Sequence, residues 1–340
     1  MSKRIVVAGA SGLIGGELVA ALRGRGDAVT CLVRREPRGP FEARWEPSRG
    51  VLDAGVLAGA DAVVVLNGAS IARLPWTAKY RRELAASRLA PVRTVVRALA
   101  ELPGGTQAST AGGATDGSGG TAGGAADGSG GTAGGAADGS GGTAGGAGQP
   151  LLVSASAVGF YGSQPGAELT ESGAPGATFL AGLCQRWEAQ ALAAAPGTDV
   201  ALLRTAPVVH RESFLRPLIA ITRLGLAGPL AGGRQVWPWI SLADEVGAIL
   251  HVIDHRLTGP VNLCGPTPAT ANDVGRAVAR LLRRPFWLPA PAFGLRMALG
   301  REAADALLLA DANVRPRALL DSGFAFTHPT VSEAIQAALE

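Results

Sequence analysis

Lysine is nearly missing from this 340-residue sequence: Lys3 and Lys79 are the only two, so the basic side is almost all arginine. The formal net charge of +4 is modest. The arginines are scattered, which gives no reason to expect nucleic acid as a partner. Cysteine is scarce as well. Cys31, Cys184 and Cys264 are odd in number and far apart, with no CxxC pair, which argues against a disulfide framework and a zinc site. His251 and His255 stand four apart on a predicted helix, yet neither a third ligand nor an HExxH motif accompanies them, so no metal is expected. No apolar run approaches the ~20 residues a membrane helix needs. The basic start followed by Ile5-Val6-Val7-Ala8 is too short for a signal peptide and breaks into a glycine turn. These absences predict a soluble, cytoplasmic chain whose partner is a small molecule, neither nucleic acid nor membrane. They leave its substrate and its oligomeric state open.

Glycine, by contrast, is abundant, at 49 residues, so position matters more than number. In Val6-Val7-Ala8-Gly9-Ala10-Ser11-Gly12-Leu13-Ile14-Gly15 an apolar strand runs into a turn with glycines at 9, 12 and 15. A helix follows, with Ile14, Leu18, Ala21 and Leu22 at helical spacing. Glycine lets the backbone turn tightly and approach phosphates, while the helix N-terminus offers free N–H groups and a partial positive charge. The spacing is G-x-x-G-x-x-G, a variant of the G-x-G-x-x-G dinucleotide fingerprint. The second strand, Ala28 to Val33, ends in Arg34-Arg35 with no acidic residue. An acid there suits the ribose hydroxyl of NAD; an arginine accommodates the 2′-phosphate of NADP. NADP(H) is therefore expected over NAD, with Arg34 the nearer candidate.

The apolar run Ala62 to Leu66, ending in Asn67-Gly68-Ala69, reads as a parallel strand buried on both faces. A helix is predicted around Thr77 to Leu102. From 103 to 149 the chain is Gly, Ala, Ser, Thr and Asp, with Thr-Ala-Gly-Gly-Ala recurring every 11 residues from Thr110. Nothing there can be buried, which predicts a disordered insertion within a domain. Order resumes at Leu151 to Gly162, another buried strand, with a helix through Leu180, Leu183, Trp187 and Ala191 and a strand from Val200 to Val209 interrupted by Arg204 and Pro207. Further helices are predicted at Ala271 to Leu282, Arg301 to Ala310 and Val331 to Leu339, with a short strand at Pro260 to Leu263. Alternating strands and helices argue for an α/β fold, a Rossmann-type doubly wound parallel sheet with a smaller α+β C-terminal lobe. The predicted division is 1–210 and 211–340, with 239–258 packing back on the first part.

These pieces, in their order, resemble the extended short-chain dehydrogenase/reductase superfamily. More narrowly they resemble its atypical epimerase branch with a C-terminal domain of unknown function. The landmarks are the glycine turn, Leu66-Asn67-Gly68, Trp76-Thr77, Ser87-Arg88 and Ser154-Ala155-Ser156-Ala157-Val158-Gly159-Phe160-Tyr161-Gly162. Beyond these come Thr170-Glu171, Trp187-Glu188, Trp239-Ile240 with Asp244, Gly259 to Asn262, Val314-x-Pro316 and Gly323-Phe324.

The resemblance implies a Tyr-x-x-x-Lys pair, in which the lysine lowers the tyrosine pKa for acid–base work. Here Leu180 and Cys184 stand at those positions. Composition agrees, because the only tyrosines, Tyr80 and Tyr161, are followed at that spacing by Leu84 and Pro165. The remaining hydroxyls are Ser154, Ser156 and Tyr161. Ser156 would polarise a carbonyl or serve as a satisfied strand-end serine; Tyr161 would donate a proton or line a substrate pocket. The resemblance further implies cofactor contacts at Gly9, Ser11, Gly12, Leu13, Ile14 and Gly15. It adds Val33 and Arg34, then Leu66, Asn67 and Gly68, and finally Glu83, Arg88 and Val208. Arg88 faces a phosphate or ribose, or else pairs with Glu83. Glu171 and Asp244 contact substrate or cap helices. Two departures bear on substrate handling: His210-Arg211-Glu212-Ser213 replaces a glycine-rich stretch, and Ser241 stands where histidine is common. The chain thus reads as an NADP(H)-dependent oxidoreductase or epimerase-like protein acting on a small carbonyl or alcohol, or else as a sensor that binds NADPH without turnover.

Overall fold

The computed structural model describes residues 2–102, 149–194 and 197–340; the tract predicted at 103–149 lies outside them but for Gln149. The first half runs β1 (Arg4–Ala8), α1 (Leu13–Gly24), β2 (Ala28–Val33), β3 (Glu42–Arg44), β4 (Ala62–Val65), α2 (Ala78–Ala100) and β5 (Leu151–Ala157). Then come β6 (Glu168–Leu169), α3 (Phe179–Leu192), β7 (Val200–Thr205) and β8 (Val208–Val209). The second half has α4 (Leu215–Arg223), β9 (Ile240–Ser241), α5 (Leu242–His255), β10 (Gly259–Leu263), α6 (Ala271–Leu281) and α7 (Ala292–Leu299). It ends in α8 (Arg301–Leu307), β11 (Asn313–Val314), α9 (Arg317–Asp321) and α10 (Val331–Leu339).

Seven strands form one parallel sheet in the order β10-β7-β5-β4-β1-β2-β3. The order reverses between β1 and β4, which opens a crevice at their carboxyl ends, the usual ligand position in such sheets. Period-two alternation sends side chains to both faces, and both faces are covered. Ile5, Val7, Val64 and Val153 pack with Leu18 and Leu22 of α1 and Ile249 and Val252 of α5. Val6, Ala8, Val63 and Leu152 pack with Val92 and Val95 of α2 and Trp187 and Ala191 of α3. Burial on both sides explains the unbroken apolar runs.

The chain crosses back into this sheet late. α5 lies on α1, and β10 pairs with β7. A smaller core holds the remaining lobe together, with Leu215 and Ile219 of α4, Val274 and Val278 of α6, Ile335 of α10, and Trp239. α8 reaches the other way: Ala303 packs with Trp76, Tyr80, Leu84 and Leu183, and Arg81 pairs with Glu302. Among the described residues no helix is long and apolar enough to cross a membrane.

Candidate functional site

The glycine turn is built around one contact. A Cβ on Gly15 would lie 2.2 Å from the Gly9 carbonyl oxygen, so α1 meets the turn at a distance only glycine permits. Gly9 itself has φ +94°, and a Cβ there would lie 3.0 Å from the Leu66 carbonyl carbon. The turn after β1 is thereby pressed against the loop after β4. Gly12 begins α1 with its N–H on the Gly9 carbonyl and offers no side-chain cap. The first-turn N–H groups after it are left for a ligand. Ser11 and Leu13 are exposed beside them, and Ile14 is half-buried.

At the neighbouring strand end, Asn67 is partly buried and its Oδ1 has no hydrogen-bond partner among the described residues. A sheltered polar atom without a partner is costly, and a ligand in the crevice would satisfy it. Gly68 is small because Arg88 lies against it: a Cβ there would stand 3.2 Å from Arg88 Cζ. Arg88 donates to the carbonyls of Leu84 and Ala69, 3.1 and 3.0 Å away, and lies over the Trp187 ring. Burial pulls its pKa below the usual arginine range. The alternative pairing with Glu83 does not form among the described residues; Glu83 is exposed one turn earlier on α2.

Beyond β2, Val33 is half-buried and Arg34 and Arg35 are exposed. They are not equivalent. Arg35 is held bidentately by Glu42 at 2.6 and 2.7 Å, which also drops the Glu42 carboxyl to about 2. Arg34 makes no ion pair among the described residues. Of the two, Arg34 has its guanidinium available for a phosphate. Val208 is half-buried in β8, and its carbonyl accepts from Ser213 Oγ. The His210 to Ser213 stretch is thus a closed turn over Val208.

The hydroxyls are elsewhere. Ser154 and Ser156 share the face of β5 that packs on α2 and α3, and both are buried. Ser156 donates to Glu188 Oε1 at 2.6 Å. Tyr161 is completely buried. Its Oη stands 2.7 Å from Asn262 Oδ1 and 2.9 Å from the Thr170 carbonyl, and accepts from Arg204 at 2.8 Å. Burial pushes its pKa up against the pull of Arg204. Arg204 also holds both oxygens of Glu188 at 2.9 Å. Of the two roles open to Ser156, the satisfied strand-end serine is the one seen here, and the expectation that Tyr161 donates a proton or lines a pocket is corrected: its hydroxyl too is spent inside a buried network. Glu171 and Asp244 are internal too. Glu171 Oε1 accepts from the backbone N–H of Asn262 and Ala318. Asp244 accepts from Ser241 Oγ and from the N–H groups of Thr327 and His328. Burial pushes the Cys184 thiol up to about 12, which leaves it unreactive. His251 and His255 stack at 3.9 Å, and no group of metal-ligating side chains occurs among the described residues.

The NAD dependent epimerase/dehydratase family pattern matches residues 5–265, and a domain of unknown function, DUF1731, matches residues 290–338. The chain belongs to the NAD-dependent epimerase/dehydratase family. Within it, the chain is similar to an epimerase family protein of Mycobacterium leprae, with 34% identity covering 97% of this chain and 94% of that one. It resembles the human epimerase family protein SDR39U1, whose crystal structure was solved with NADPH. That match has 24% identity and a TM-score of 0.77, and covers 98% of each chain. It also resembles a nucleoside-diphosphate sugar epimerase from Corynebacterium glutamicum at 25% identity and TM-score 0.69, covering all of this chain and 58% of that one.

Against the family's Tyr–Lys chemistry, Leu180 and Cys184 pack beside Gly159 at the end of β5. What the sequence reading missed is the Glu188–Arg204 pair and the bond from Tyr161 to Asn262. Trp187-Glu188 was visible as a landmark, but a buried ion pair leaves no local pattern that separates it from a surface one.

Proposed function

We propose that this family member binds NADP(H) in the β1/β4 crevice. The pyrophosphate lies over the Gly9–Gly15 turn, Arg34 meets the 2′-phosphate, and Asn67 meets the adjoining part of the dinucleotide. The proposed use is oxidoreductase or epimerase-like chemistry on a small carbonyl or alcohol. The bound nicotinamide would supply or accept the hydride. The observation that carries this reading is the open cradle: a glycine-only contact, an uncapped helix start, and an Asn67 oxygen and an arginine that find no partner among the described residues stand at one sheet end. That the human relative was solved with NADPH supports the choice of nucleotide.

A second reading, retention of NADPH without turnover, is favoured by the sealed network around Ser156 and Tyr161. With those hydroxyls internal, no proton relay of the family's type faces the crevice. One experiment separates the readings. Calorimetric titration with NADPH, NADH, NADP and NAD is followed by incubation of the NADPH-loaded protein with a carbonyl panel, with Gly12→Asp as control. Tight NADPH binding with oxidation above the control supports the enzyme. Tight binding with none supports the sensor. Indifference to all four dinucleotides overturns both.

A further inference from the structure

The C-terminal lobe carries a surface that its own fold leaves uncovered. Met297 is 82% exposed, Leu224 73%, Phe293 68% and Trp287 63%; Leu226 and Ile221 are exposed beside them. Two stretches of chain make this surface, and backbone bonds tie them together. Trp287 Nε1 donates to the Gly225 carbonyl at 3.1 Å, the Trp287 N–H donates to Ala227, and Leu230 bridges to Ala290 just before α7. Phe293 and Met297 then stand one turn apart on α7, a helix with no buried residue.

The charge of the same two stretches is one-sided. From Ser213 to Ala243, and again from Val274 to Arg301, the sequence contains no aspartate or glutamate. It contains Arg216, Arg223 and Arg234 in the first, and six arginines in the second. Arg223, Arg280, Arg283 and Arg284 are exposed and form no ion pair among the described residues. The arginines looked scattered along the sequence; the fold gathers these around the apolar ridge.

We propose that this face is a docking surface for an anionic lipid bilayer. Tryptophan, phenylalanine, methionine and leucine would enter the headgroup–acyl boundary, and the arginines would lie against the lipid phosphates. The protein lies on the membrane in this arrangement and does not span it. Protrusion decides between a membrane and a peptide helix. A helix docks its anchors into a groove, whereas these side chains stand outward. A bilayer surface accepts them without one.

The test is flotation of the full chain, loaded with NADPH, with two vesicle types: phosphatidylcholine alone, and phosphatidylcholine with one-third phosphatidylglycerol. The expected result is recovery with the anionic vesicles at least about tenfold above the neutral ones, lost at high salt. Phe293→Ser/Met297→Ser lowers anionic-vesicle partition by about tenfold or more. Arg283→Glu/Arg284→Glu lowers it by about fivefold for each charge removed. Both variants sit on exposed positions and should keep the wild-type thermal response to NADPH, which separates lost docking from lost fold. Equal recovery with both vesicle types, or with neither, overturns the proposal. So does sedimentation showing a dimer that Phe293→Ser/Met297→Ser converts to monomer, because a second copy then covers the face.

Discussion

Gly15 shows how far one residue's size controls the site. A Cβ there would lie 2.2 Å from the Gly9 carbonyl oxygen, so only glycine lets α1 start this close to the turn. Gly15→Ala should cost about 1–3 kcal/mol through overpacking and, by pushing the helix N-terminus off the turn, abolish the thermal shift given by NADPH. Melting curves with and without the nucleotide read both effects. Arg34 tests selectivity. Arg34→Ala should weaken NADPH about ten- to a hundredfold, the worth of a charge-assisted contact, and leave NADH unchanged in parallel titrations. Arg35→Ala should leave both affinities unchanged, because its guanidinium is already held by Glu42. Glu188→Gln leaves Arg204 buried without a counter-charge and should cost about 3–5 kcal/mol in urea unfolding. The cradle residues were legible in the sequence because they lie in one short turn. The groups that Ser156 and Tyr161 bond were not. Their partners Glu188 and Asn262 are 32 and 101 residues away, and only the fold brings them together. The alternation of β5 does put Ser154 and Ser156 on one face. Which layer that face meets is a tertiary fact.

At the scale of elements, capping accounts for most of what was legible; α1 and α8 were foreseen without a side-chain cap, α1 from the glycine turn before it. The helices foreseen at α2, α3, α5, α6 and α10 all start at a Ser or Thr that accepts from a first-turn N–H: Thr77, Thr178, Ser241, Thr270 and Thr330. α4, α7 and α9 lack such a cap and went unforeseen; each is also nine residues or shorter. The first turn of α5 carries a pH-dependent term. Glu245 is fully buried, its Oε1 accepts from Thr205 Oγ1, and its Oε2 has no partner among the described residues. Burial raises its pKa from 4.5 to about 8. A carboxyl whose folded pKa is raised binds its proton more tightly in the native state. Its contribution to stability is therefore complete at low pH and declines as pH rises from the unfolded value toward the folded one. Wild-type stability should fall between pH 5 and 8 by up to about 1.4 kcal/mol per unit from this group. In Glu245→Gln that slope should vanish. Urea denaturation across the range measures it, and an unchanged slope would assign the proton elsewhere.

The molecule as a whole is not two beads in sequence. The sheet takes β10 from the far side of the smaller lobe's first helix, so the two parts share strands as well as a boundary. α8 adds a clasp onto α2 and α3. Such interleaving predicts that the tract between α2 and β5 can be removed while the lobes cannot be separated. Leu102 before the tract and Leu152 after it belong to the same core cluster, so the chain leaves and re-enters the fold on the same face of the sheet. The tract itself contains no large apolar side chain. Cutting it to about an eighth of its length with a Gly–Ser linker is three halvings of loop length. At about 0.6 kcal/mol each, this should stabilise the protein by up to about 2 kcal/mol, with the NADPH titration unchanged. A shortened chain that melts lower, or that binds NADPH more weakly, would show that the repeat contributes contacts of its own.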